Sequence, residues 1–169
     1  MGISDTIEVM ELNRKITDHV TYGEVIRSTW AKRNEVSNEP TFGRLWKDES
    51  EFVLKAKILC EVYEKIRSGL GVPIFISSMY RSPLVNNGVG GSANSQHIRL
   101  EAMDLDADVF APTLGDKAIT NKELFLWCKG NMEFDQLLWE GGVNGWVHIS
   151  HKASGNRMYV GEIPNPHKI

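Results

Sequence analysis

The segment GGSANSQHIRLEAMDLDADV, residues 90–109, contains side chains of the types that bind metal ions. His97 lies seven residues before Asp104, and Asp104, Asp106 and Asp108 alternate along a segment that is typical of a strand. Zinc prefers imidazole nitrogen and carboxylate oxygen as ligands, and a catalytic zinc keeps one coordination position open for water. A polar turn followed by an edge strand is the other interpretation. The spacing therefore leads to the hypothesis that this segment supplies half of the ligands of a metal site.

A complete site needs a ligand from another segment. Side chains alternate along a strand, so the three aspartates share one face, and carboxylates facing a core need a cation or hydrogen-bond donors. A calcium-binding EF-hand is excluded, because Val109 replaces its required glycine and Gly115 its bidentate glutamate. The sequence GWVHIS offers His148 on a second predicted strand.

Helices are predicted for the first part of the chain. A capping box at 21–24 predicts a helix that continues to about Lys32. Apolar residues at helical spacing predict a longer helix, which begins near Asp48 or Ser50 and ends at Ser68, before Gly69 and Gly71.

The second part of the chain is predicted to be mostly strands with one inserted helix. The predicted strands are PIFISSMYR, EAMDLDADVF, EFDQLLWE and GWVHISHK, the last two forming a hairpin around GGVNG. SPLVNNGVGGSANS is expected to be a long loop and TNKELFLWCKG a short helix. Helices followed by a mostly antiparallel sheet indicate an α+β fold.

Composition and charge limit the function classes. The 169 residues are 41% hydrophobic and 24% charged, as in one globular domain with a sizeable core. A net charge of −3 argues against a general nucleic-acid or anionic-membrane binder, and no segment is long enough to span a bilayer. The N-terminus lacks the apolar core of a signal peptide, so we expect synthesis in the cytoplasm. Cys60 and Cys128 are expected to be buried, unpaired thiols.

The motifs around these residues resemble those of a known family. SQHIRLEAMD resembles the Ser-x-His-x-x-Gly-x-Ala-x-Asp signature of the zinc D-alanyl-D-alanine carboxypeptidase family. Members of this family cut peptidoglycan peptides and share a fold with the hedgehog signalling domain. SSMYRSP, NNGVGGSANSQH and FDQLLWEGGVNGWVHIS resemble the phage-type branch in order and spacing. The resemblance covers about residues 20–151, with its specific motifs at 77–104 and 134–150.

The resemblance implies that His97, Asp104 and His148 bind zinc, on a sheet of the hedgehog/D,D-peptidase type. We therefore expect a zinc peptidase-like domain at 21–160, which follows a poorly patterned N-terminal arm at 1–20 and precedes a C-terminal tail at 161–169. Two positions depart from the family. Leu100 replaces the signature glycine, and Gly145 stands three residues before the last histidine, where many members carry an acid.

Further roles follow from the same resemblance. Glu140 is the expected general base, because it ends the strand predicted to pair with the His148 strand, as the hedgehog-like members' glutamate does. Asp135 is the second choice, since alternation places it on the opposite face. Arg81 resembles the arginine of the family's Ser-x-Tyr-Arg motif and could bind a substrate carboxylate or the oxyanion. Three residues are expected to support the site or to contact the substrate, Ser95 by bracing the loop or hydrogen-bonding a ligand and the other two by lining the cleft: Ser95, Gln136 and Trp146.

The sequence therefore predicts a zinc metallopeptidase, a hydrolase that cuts stem or cross-link peptides of peptidoglycan. A phage-related endolysin or a virion component would reach the cell wall of a host without a signal peptide. The expected partner is a peptidoglycan peptide, with neither nucleic acid nor membrane insertion. The alternative is a catalytically silent zinc-binding structural or binding module of the same fold.

Overall fold

The computed structural model describes residues 11–164, so residues 1–10 of the predicted arm and 165–169 of the predicted tail lie outside the described residues. The chain divides into two compact units. Of the described residues, the first unit comprises 11–64 and 78–100, and the second comprises 65–77 and 101–164. In the described part of the chain, no helix has both the length and the apolar character needed to cross a membrane.

The first unit is mainly helical. It also contains a small antiparallel sheet of two strands. Its elements are β1 (Lys15–Thr17), β2 (Val20–Thr21), α1 (Tyr22–Val25), α2 (Thr29–Arg33), the larger part of α3 (Glu49–Leu70), α4 (Pro83–Gly88) and a 3-10 turn (Gln96–Arg99).

The single helix predicted to continue to Lys32 is two helices. The capping box is confirmed: the Thr21 hydroxyl accepts from the Glu24 N–H, and the Glu24 carboxylate accepts from the Thr21 N–H. The helix nevertheless ends at Val25, because Ser28 is extended and caps α2 by accepting from the Ala31 N–H at 3.1 Å. Helical spacing of apolar residues continues across the break and therefore does not reveal it.

The long loop predicted for SPLVNNGVGGSANS contains a helix, so this prediction is wrong for its first half. Helix α4 begins at Pro83, and the Ser82 hydroxyl caps it by accepting from the Val85 N–H at 3.2 Å. A serine before a proline is a helix-start signal, since proline in the first turn has no N–H to leave unsatisfied. The glycines and asparagines that followed outweighed this signal in the prediction.

Helix α3 agrees with its prediction. It spans Glu49–Leu70, and the residues at helical spacing are all buried: Phe52, Ala56, Leu59, Cys60, Tyr63 and Ile66. Gly69 does not end the helix but lies inside it, where a Cβ would be 2.0 Å from the Trp127 ring. Gly71 follows the helix with a φ of +72°.

The second unit contains the main sheet, and its strand order is β3-β4-β6-β5-β7. Strand β6 is antiparallel to both β4 and β5, as the predicted hairpin requires. Strand β7 was not predicted; it is parallel to β5 and continues past the expected domain boundary at residue 160. The elements are β3 (Phe75–Ser78), β4 (Ala102–Asp106), α5 (Ala111–Leu114), α6 (Asn121–Asn131), β5 (Gln136–Glu140), β6 (Trp146–Ser150) and β7 (Tyr159–Ile163). The α+β fold class is confirmed.

The two faces of this sheet differ in chemistry. One face is apolar and buried, and α6 packs on strands β5 and β6; its buried residues are Met103, Leu105, Leu137, Val147 and Ile149. The register places Asp104 beside His148, and His148 beside Leu138, on the other face. The apolar face thus anchors the strands that carry the predicted polar site.

Candidate metal centre

Two imidazoles and one carboxylate come together at the predicted positions. One potential ligand atom from each of His97, Asp104 and His148 lies within 4.8 Å of the other two. The side chains are buried, with relative exposures of 2%, 5% and 8%. Burial of a carboxylate and two imidazoles in one place is unfavourable unless they have a cation or hydrogen-bond partners.

The environment of His97 orients its ring for metal binding. Its Nδ1 lies 2.7 Å from the carbonyl oxygen of Met79. Because a carbonyl can only accept, Nδ1 carries the proton and the lone pair is on Nε2, as in most metal-binding histidines. Ser95 caps the turn, its hydroxyl accepting from the His97 N–H at 3.3 Å. The predicted brace at Ser95 thus has a direct contact with the ligand's backbone.

Asp104 and His148 are paired across neighbouring strands. They lie directly opposite each other in the β4–β6 register, with His148 Nδ1 3.0 Å from Asp104 Oδ1. Such a distance fits a hydrogen bond, and it also fits two ligand atoms of one ion. Two imidazoles and a carboxylate match the donor set of zinc, and three protein ligands leave the fourth position that a catalytic zinc uses for water. The residues present therefore fit a zinc ion.

The other two alternating aspartates have structural partners. Asp106 Oδ1 accepts from the Asn121 side chain at 3.0 Å and from the Asp108 N–H at 3.0 Å. The same Asn121 amide lies 3.3 Å from Asp108 Oδ2. Of the three aspartates, Asp104 is the member of the metal-ligand group.

Glu140 lies on the sheet face that carries His148. In the antiparallel β5–β6 pair, Leu138 is opposite His148, and Glu140 is opposite Trp146. Residues two apart in a strand share a face, so Glu140 and Trp146 both lie on the His148 side. Gln136 lies on this side at the far end of β5, where its N–H donates to the Ser150 hydroxyl at 3.0 Å.

Asp135, the second choice for a base, is committed to ion pairs. It is 1% exposed, and its carboxylate lies 2.6 Å from Arg157 Nη2 and 3.0 Å from Lys152 Nζ. Hydrogen bonding from Arg157, above all, holds the pKa of Asp135 well below its usual range. A carboxylate stabilised in this way is a poor proton acceptor.

The geometry of Gly145 explains the missing acid three residues before His148. A Cβ built on this glycine would lie 1.6 Å from the carbonyl oxygen of Glu140. Any side chain at this position would therefore require a different hairpin. An acid at position 145 is thus incompatible with the hairpin that places Glu140 at the end of its strand.

Arg81 is tied to the segment that carries His97. Its backbone N–H donates to the His97 carbonyl at 3.2 Å, and its Nε donates to the Ser78 hydroxyl at 3.0 Å. The half-buried Arg81 is therefore held by hydrogen bonds of both its backbone and its side chain.

Leu100, which replaces the family's signature glycine, adopts a backbone conformation that favours glycine. It ends the 3-10 turn in the left-handed conformation, with φ 52° and ψ 45°, and its side chain is 1% exposed. The left-handed conformation costs an L-residue about 1–2 kcal/mol, and complete burial of a leucine side chain contributes about 1.5–3 kcal/mol. Burial of the side chain thus offsets the strain of the left-handed backbone at Leu100.

Substitutions at Leu100 should reverse the usual order of alanine and glycine. We expect Leu100→Ala to lower the free energy of unfolding by about 2–5 kcal/mol through the lost burial. Leu100→Gly should be up to about 1 kcal/mol more stable than Leu100→Ala, because glycine adopts positive φ without strain. Urea unfolding of both variants measures this order.

Leu105, fully buried in β4, is the matched control. There Leu105→Gly should be about 0.5–1 kcal/mol less stable than Leu105→Ala, as is usual in a strand. The same order at both leucines would contradict the strain at Leu100.

The comparisons with known proteins agree with this site. The family model of peptidase M15 matches residues 18–150, a range that includes His97, Asp104, His148, Arg81 and Glu140. A search among curated proteins found no match. Peptidases of this family are zinc-dependent, so zinc is the cofactor, and the His-Asp-His group could hold it. The chain therefore belongs to the peptidase M15 family of zinc D-alanyl-D-alanine carboxypeptidase-like metallopeptidases.

Proposed function

We propose that this metallopeptidase cleaves peptide bonds in the stem or cross-link peptides of peptidoglycan. The observation that carries the proposal is the buried group of His97, Asp104 and His148, whose ligand atoms lie within 4.8 Å of one another. The substrate class is supported by the motifs at 77–104 and 134–150, which resemble those of enzymes that cut peptidoglycan.

Two side chains would carry the chemistry beside the metal. Zinc bound by the three ligands would polarise the scissile carbonyl and lower the pKa of water to about 7. Glu140 takes the proton of the attacking water and returns it to the leaving amine. Arg81 holds a substrate carboxylate or the developing oxyanion with a charge that does not titrate at neutral pH. Ser95 keeps the His97 turn in place through its cap.

A phage-related role at the cell wall of a host is part of the proposal. It is supported by the phage-type resemblance of NNGVGGSANSQH and FDQLLWEGGVNGWVHIS. In this setting the protein would act as an endolysin or as a virion-associated peptidase. Gln136 and Trp146, on the same sheet face as His148, would contact the peptide.

Digestion of purified peptidoglycan distinguishes an active peptidase from a catalytically silent zinc-binding module. We expect the zinc-loaded protein to release new amino groups from purified sacculi, a chelator to stop the release, and added zinc to restore it. Metal analysis of the same samples gives the zinc content. One equivalent of bound zinc without bond cleavage would contradict the proposal and favour a silent zinc-binding module.

A further inference from the structure

Asn38 makes contacts that point to a role in positioning Arg81. This residue lies in the segment between α2 and α3, and it is 7% exposed. We propose that the Asn38 side chain fixes the backbone on both sides of Arg81 and thereby sets where the guanidinium meets the substrate. The inference rests on the proposed function, in which Arg81 binds a substrate carboxylate or the oxyanion.

One amide group brackets Arg81. Asn38 Nδ2 donates to the carbonyl of Tyr80 at 3.0 Å, and Asn38 Oδ1 accepts from the N–H of Ser82 at 2.8 Å. Nδ2 also donates to the carbonyl of Ile26 at 2.8 Å. An asparagine amide has two donor hydrogens, and here both are used in buried or part-buried hydrogen bonds. The Asn38 side chain is thus hydrogen-bonded to the residue before Arg81 and to the residue after it.

Two further backbone groups near Arg81 also have hydrogen-bond partners. The Tyr80 N–H donates to the Val25 carbonyl at 2.9 Å, and the Arg81 N–H donates to the His97 carbonyl at 3.2 Å. The Tyr80 ring packs edge-on against Phe52, with ring centroids 5.0 Å apart. Asn38 completes this set of contacts, because it supplies the partners of the Tyr80 carbonyl and the Ser82 N–H.

Small displacements of Arg81 would have large effects. An error of about 1 Å in the position of a group that contacts the substrate can lower the rate roughly 100-fold. Loss of the Asn38 amide would remove one hydrogen bond from each of the two peptides that flank Arg81. A purely structural Asn38 would instead affect folding without any dependence on the guanidinium.

A double-mutant cycle separates these two roles. The variants are Asn38→Ala, Arg81→Ala and the double variant, each loaded with zinc and assayed well below its melting temperature. The measured quantity is kcat/KM on soluble stem peptides prepared from purified peptidoglycan. We expect Asn38→Ala to lower kcat/KM about 10–100-fold when Arg81 is present and less than about 3-fold when it is replaced. Asn38→Ser serves in the same cycle if the alanine variant does not fold.

Asn121 provides a matched control. It is 2% exposed, accepts from the Ala107 N–H at 2.8 Å and donates to the Gly145 carbonyl at 2.9 Å. Because its contacts do not include the Arg81 segment, Asn121→Ala should lower kcat/KM by the same factor with and without Arg81.

The outcomes distinguish the inference from the proposed function. Equal losses from Asn38→Ala in both backgrounds would overturn the positioning role while leaving Arg81 in place. An Arg81→Ala variant with unchanged kcat/KM would overturn the role of Arg81, and this inference with it. A wild-type protein that binds zinc but cuts no stem peptide would overturn the proposed function itself.

Discussion

Glu140→Gln should keep its zinc and lose most of its peptidase activity. The amide is close in size to the carboxylate but cannot take a proton from water, so the general-base contribution disappears. Such a contribution is typically worth about 10²–10⁴-fold in rate. Release of amino groups from peptidoglycan peptides measures the loss, and elemental analysis measures the zinc in the same sample.

Glu162→Gln is the matched control. Glu162 is an exposed glutamate on β7, where it pairs with Trp139 and therefore lies on the sheet face opposite Glu140. This variant should have normal zinc content and normal activity. Full activity in Glu140→Gln would refute the base assignment, and equal losses in both variants would point to a general effect of charge.

Local signals were sufficient for the elements nearest the site. The α3 helix repeats its apolar residues at helical spacing over about four turns from Phe52 to Ile66, and all six of these positions are buried. The glycines of GGVNG correctly predicted the hairpin that joins β5 to β6. Both strands alternate between an apolar and a polar face, which fixes their register.

Two errors arose where one local signal masked another. The apolar spacing of 22–32 continues through Ser28, whose hydroxyl caps a second helix. The glycines after α4 concealed the Ser82 cap in the same way. Strand β7 was not predicted for a different reason. It pairs with Gln136–Glu140 in a parallel arrangement, and a long-range pairing leaves no local pattern in a half-exposed segment.

The side chains of the metal centre could be predicted, but the groups that orient them could not. His97, Asp104 and His148 are recognisable because residue type and spacing carry their chemistry. The partner of the His97 ring is the carbonyl of Met79, and every residue type has a carbonyl. Asn38 is similarly hidden, since nothing in SNEP predicts hydrogen bonds to a segment more than forty residues away.

Asp104→Asn should lose its zinc, whereas Asp106→Asn should keep it. The two aspartates lie on the same face of β4, yet Asp104 belongs to the metal-ligand group and Asp106 accepts hydrogen bonds from Asn121 and Asp108. Loss of a group that hydrogen-bonds to a metal ligand already lowers metal affinity about 10–100-fold, so removal of a charged ligand should lower it further. An asparagine at 106 can still accept both hydrogen bonds, which makes that variant a close control.

Thermal unfolding with and without zinc reads out this difference independently of turnover. A ligand at about 1,000 times its Kd stabilises the folded state by about 4 kcal/mol. For a chain of this length, that corresponds to a rise in Tm of roughly 10 °C. Wild type and Asp106→Asn should show the rise, and Asp104→Asn should show little of it. A full zinc response in Asp104→Asn would remove Asp104 from the ligand set, because the remaining two imidazoles would then suffice for the ion.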